Sequence, residues 1–133
     1  MKKKTGKFLL WLPRILSIIF IAFLALFSLD VFEPGLKWWE ILVGLFMHNI
    51  PVFVLIGVLV IAWKHEIFGA ITFGLAGLLY VFLTVNRAGL PWQLAFSWSL
   101  IIAGPAFLIG FLFMNNWCNK RSNQDKQKTK AKR

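Results

Sequence analysis

The sequence predicts an all-α fold: a polytopic membrane protein built as an up-down four-transmembrane-helix bundle with short loops. Three observations lead there. Four apolar stretches, residues 15–32, 41–63, 67–85 and 92–114, fill most of a 133-residue chain, and about 20 apolar residues cross a hydrocarbon core. The chain is 59% hydrophobic and only 15% charged, too little polar surface to clothe a soluble domain. Its net charge of +10 gathers at the two ends and not along the spans.

The first 14 residues form a basic segment carrying Lys2, Lys3, Lys4, Lys7 and Arg14. Such an opening looks like the start of a signal peptide. The apolar run behind it is interrupted by Pro13 and Arg14, shows no small-x-small cleavage site and leads into three further spans. A retained first helix over 15–32 is expected, preceded by a short interfacial piece at 8–12. Pro34-Gly35 marks the connection 33–40, and Lys64-His65-Glu66 makes a tight hairpin before the third span. Residues 86–91 end that span and bring Pro91 to the first turn of the fourth, where its missing N–H costs nothing. Short connections make successive spans antiparallel neighbours. A more open arrangement completed by a second copy also fits. The folded unit is expected over 15–117, followed by a basic, disordered tail over 118–133.

Charge placement sets the expected orientation. If the spans alternate, every Lys and Arg except Lys37 and Arg87 falls on one side. The positive-inside rule then makes both termini cytoplasmic, in an inner membrane. Tryptophan agrees independently, because Trp favours membrane–water boundaries. Trp11, Trp63 and Trp117 fall at the expected cytoplasmic ends and Trp38, Trp39 and Trp92 at the outer ends, with Trp98 the exception. The expected partners are therefore the bilayer itself, with anionic headgroups at the basic termini, and a second copy or another membrane protein. No nucleic acid is expected.

Small residues mark expected helix contacts. Ala70/Gly74 and Ala106/Gly110 both have small-xxx-small spacing, which lets backbones approach closely. They predict close packing of spans three and four, either with each other or across an oligomer interface. Pro51 and Pro105 lie inside spans two and four, where each removes a helical hydrogen bond and predicts a kink.

Ionisable groups inside a bilayer are costly and point to function or to helix packing. Glu40, Gly44, Met47, His48 and Pro51 share one face of span two. Thr72, Ala76, Tyr80 and Thr84 make a line on span three that returns at Arg87, and Gln93, Ser97 and Gly104 align on span four. A polar pocket in the outer half is expected, lined by His48, Glu40, Tyr80, Asp30, Arg87 and Ser97. Asp30 reaches either the interface or Lys37 or Arg87. The competing reading of His48 is a structural hydrogen bond between helices.

Catalysis finds little support. His48 and His65 lie near opposite ends of the same span, and no zinc-type cluster, phosphate-binding Gly-rich loop or nucleophile elbow occurs. No metal and no cofactor is implied. The lone Cys118 precludes an intramolecular disulfide. A non-enzymatic accessory or oligomeric membrane subunit is the expected role, with a small transporter or ligand-binding protein using the His48 pocket as the alternative.

Three short patterns add a resemblance: Leu29-Asp30-Val31-Phe32, His48-Asn49-Ile50-Pro51, and Ala62-Trp63-Lys64-His65-Glu66 followed by Gly69. Together they resemble a family of small four-span prokaryotic membrane proteins classed as a domain of unknown function, over residues 15–114. The resemblance implies a compact four-helix membrane domain and singles out Asp30, Glu40, His48 and Glu66. It implies no activity.

Overall fold

Apolar stretches of this length have to satisfy their backbone internally, and here they do so as helices. A computed structural model describes residues 2–87 and 89–132; Arg133, counted above in the basic tail, lies outside them. In chain order the elements are α1 (Lys2–Leu26), the 3-10 helix Phe27–Val31, α2 (Trp38–Ala62), α3 (Glu66–Val85) and α4 (Trp92–Ala131). All are helical, and four are long and apolar enough to cross a membrane. α1 packs on α2 and α4, α3 on α2 and α4, and α3 and α4 form the most intimate pair.

The span edges follow the hydropathy, while the helix ends do not. α2 and α3 begin and end within a few residues of the expected spans. α1 instead runs unbroken from Lys2 through Pro13, so the separate interfacial piece expected at 8–12 is the helix's own first turns. α4 continues for 40 residues to Ala131, through the stretch where a disordered tail is expected. Lys, Arg, Gln and Ala are good helix formers, and Lys128 and Lys130 sit at the negative end of the helix dipole. The helix is about 60 Å long, twice a hydrocarbon core of about 30 Å. Both Pro51 and Pro105 lie inside continuous helices.

Glycines set the closeness of α3 and α4. A Cβ on Gly110 would lie 3.1 Å from the Ala70 carbonyl oxygen and 3.2 Å from the Gly74 nitrogen. One on Gly77 would meet the Phe107 ring at 2.9 Å, and one on Gly69 the Phe113 ring at 3.0 Å. The pairing runs antiparallel, and Gly110 of one small-residue motif meets Ala70 and Gly74 of the other within one chain. Phe113 stacks on Phe73 at 6.1 Å, and Phe73 touches Phe20 of α1 at 6.4 Å, forming the centre of the core.

Packing is uneven along the bundle axis. Up-down topology places both chain termini and the α2–α3 turn at one end, here called the base. Every buried residue of α2 follows Pro51: Val52, Leu55, Val58, Leu59 and Ala62. In α3 the buried residues stop at Gly77. The bundle is closed at its base and open between α2 and α3 at its far end.

Candidate functional site

Pro13 opens the construction of the base. It has no N–H, so the carbonyl of Leu9, four residues earlier, loses its helical donor. Asn116 of α4 supplies one: its Nδ2 donates to Leu9 O at 2.9 Å. Pro13 is fully buried, and Ser17 Oγ donates to Pro13 O at 2.6 Å, closing the turn above.

Arg14 follows immediately and reaches the α2–α3 hairpin. Its Nη2 donates to Trp63 O at 3.0 Å, at the carbonyl end of α2, where a cation is favoured. The same nitrogen lies 3.9 Å from Glu66 Oε1. The guanidinium carbon sits 5.6 Å from the Trp11 ring centre and 5.4 Å from that of Trp63, and the two rings meet edge-on at 5.9 Å. Such cation–π contacts contribute about 0.5–2 kcal/mol each. The Nε of Arg14 is buried without a partner.

Glu66 is the hub. It opens α3, where a carboxylate complements the helix dipole, and is 3% exposed. Lys120 Nζ of α4 donates to its Oε1 at 2.7 Å, so one carboxylate oxygen meets two cations from α1 and α4. From the residues alone Glu66 falls in a loop and Arg14 is only a topology signal, although the family resemblance singles out Glu66. The structure turns both inward. A charged pair beside a proline and a tight hairpin, all at one end of the spans, was the available signal.

The side chains expected to converge in the outer half do something different. Glu40 accepts the Lys37 N–H at 2.9 Å and caps the start of α2. Ser97 Oγ donates to Gln93 O, Thr84 Oγ1 to Tyr80 O and Asn49 Nδ2 to Leu45 O, each within its own helix. His48, Asp30 and Arg87 are exposed, and Tyr80 is half-buried. Among the described residues no hydrogen bond or ion pair joins any two of His48, Glu40, Tyr80, Asp30, Arg87 and Ser97. For Ser97, as for Thr84 and Asn49, the reason is local: hydroxyl and amide side chains on helices return to the carbonyl four residues back.

The long-range side-chain hydrogen bonds of the described residues are Arg14 to Trp63, Asn116 to Leu9 and Lys120 to Glu66, all at the base. They join all four helices. Chemically the cluster is a clamp, with its carboxylate occupied by cations from two other helices. Among the described residues no three His, Cys, Asp or Glu side chains gather in a way that would hold a metal.

Comparison with known proteins finds a match to a family model described as "Domain of unknown function (DUF7670)", over residues 1–125. No curated protein and no solved structure matches. The family match takes in α1 to α3, α4 as far as Asp125, the clamp and every outer-half candidate, and extends past 15–114 into both basic ends. The chain belongs to the DUF7670 family, a domain of unknown function.

Proposed function

We propose that the chain is a multi-pass protein of the cytoplasmic membrane, with the base and both termini on the cytoplasmic side, that works as a non-enzymatic accessory or oligomeric subunit. The observation that carries this reading is the one-sided packing of α2. From Trp38 to Pro51 it has no buried residue, and all its buried side chains follow the proline. Phe46 of this half pairs with Phe53, just past the proline, at 5.9 Å, and Met47 and His48 are exposed beside Phe46. A face so open, above a base tied by three interhelical hydrogen bonds, suits a transmembrane segment from a second copy or a partner protein. The charge distribution supports the orientation, because the cation-rich base is the end the positive-inside rule assigns to the cytoplasm.

Cross-linking from this face tests the reading. In a Cys118→Ser background, Met47→Cys is expected to give a disulfide-linked dimer or a stoichiometric cross-link to another membrane protein. A monomer that captures nothing in native membranes overturns the assembly role. A small molecule that co-purifies and is lost in His48→Ala, while folding is retained, would replace it with a ligand-binding role.

A further inference from the structure

α1 and α4 meet along one seam whose chemistry changes with depth. At the base, where α4 outruns the rest of the bundle, the two helices border a groove of about 500 Å³ lined by Lys7, Asn119, Lys120, Ser122, Asn123 and Lys126, with Leu9 and Leu10 at its inner edge. Lys120 keeps its bond to Glu66 with half its side chain exposed. Among the described residues no carboxylate pairs with Lys7 or Lys126. Farther into the span, the same two helices border an apolar crevice of about 270 Å³, lined by Leu16, Phe20 and Phe23 on one side and Ile101, Pro105 and Leu108 on the other. On α4 the lining residues of both recur at steps of three and four, so one face of that helix serves groove and crevice alike. On α1, six residues separate Leu10 of the groove from Leu16 of the crevice, or about 9 Å of helix.

We propose that this seam seats one anionic phospholipid, its phosphate in the lysine groove and an acyl chain in the crevice. Charge complementarity selects the occupant. The ammonium groups of Lys7 and Lys126, with amide and hydroxyl donors between them and Lys120 shared with Glu66, suit a phosphodiester. A dry, aliphatic–aromatic slot deeper along the same seam suits a hydrocarbon chain and not a soluble anion. The proposal rests on the membrane location given above and assigns a specific seat where that reading has only general attraction of basic ends to the surface.

The test uses the full chain in bilayer nanodiscs, released into the gas phase for native mass spectrometry. Phosphatidylglycerol is compared with phosphatidylcholine of the same chain length. One retained phosphatidylglycerol per chain is expected, and Lys7→Gln/Lys126→Gln, which leaves the Glu66 clamp untouched, should weaken retention by about tenfold or more. Lys128→Gln/Lys132→Gln removes equal charge outside the groove and should change retention less than about twofold. Equal retention of both lipids, or equal loss in the two double variants, overturns the seat. So does displacement of the lipid by inorganic phosphate. In each of these cases the chain still enters nanodiscs, so the membrane reading survives; failure to enter any bilayer would defeat that reading instead.

Discussion

Replacing Asn116 by alanine removes the donor of an interhelical hydrogen bond and strands its acceptor. Leu9 O has no helical donor because residue 13 is proline, and the 2.9 Å bond from Asn116 takes that donor's place. Asn116 is 4% exposed, so the donor end of the bond is buried. An unmet buried acceptor costs about 1–3 kcal/mol; because Leu9 lies on an exposed part of α1, the lower half of that range, about 1.5 kcal/mol, is expected. The same substitution behaves differently if residue 13 regains an N–H. In Pro13→Ala, the new amide donates to Leu9 O, and Asn116→Ala then costs about 0.5 kcal/mol or less. The cycle should therefore show about 1 kcal/mol of coupling between two residues on different helices. Reversible unfolding of the four proteins in one detergent, followed by tryptophan fluorescence, measures it. Additive effects, within about 0.3 kcal/mol, would refute the claim that Asn116 stands in for the proline's missing donor.

Other perturbations separate base from far end. Glu66→Ala leaves the mostly buried Arg14 without its carboxylate and should destabilise by about 3 kcal/mol, whereas Lys120→Ala, losing a half-exposed partner, should cost about 1 kcal/mol or less; thermal shifts in detergent rank the two. Gly110→Val drives a side chain onto the Ala70 and Gly74 backbone and should cost about 3 kcal/mol or prevent folding. Gly74→Ala, whose Cβ meets nothing within 4 Å, should be tolerated by the same assay. His48→Ala removes an exposed side chain and should change the stability of the isolated chain by no more than about 0.5 kcal/mol.

Hydropathy made the four helices legible because apolar length is what a span requires. It could not show where α1 and α4 end, since a helix does not stop where its residues turn polar. Lys2–Lys7 and Arg121–Ala131 are helical through propensity and neighbouring structure. The α3–α4 pairing was half legible: Ala70/Gly74 and Ala106/Gly110 announced a close contact, and only the structure shows that each motif meets the other. Outer-half polar residues invited a pocket because helical periodicity puts them on shared faces. Periodicity says nothing about which carbonyl a Ser, Thr or Asn will choose, and Ser97, Thr84 and Asn49 chose their own helices. The clamp was missed for the opposite reason. Arg14 was legible as charge, and the proline logic applied to Pro51 and Pro105 pointed equally at Pro13 and Leu9, but Asn116 lies 107 residues away in sequence.

The central claim is that polar contacts between helices hold the base and leave the far end to apolar packing. Two double-mutant cycles on the unfolding free energy test it most directly, Arg14→Gln with Glu66→Gln at the base and Asp30→Asn with Arg87→Gln at the far end. The account predicts about 1 kcal/mol or more of coupling for Arg14 and Glu66, and none beyond about 0.3 kcal/mol for Asp30 and Arg87. Coupling at the far end equal to that at the base, or none at the base, would contradict it.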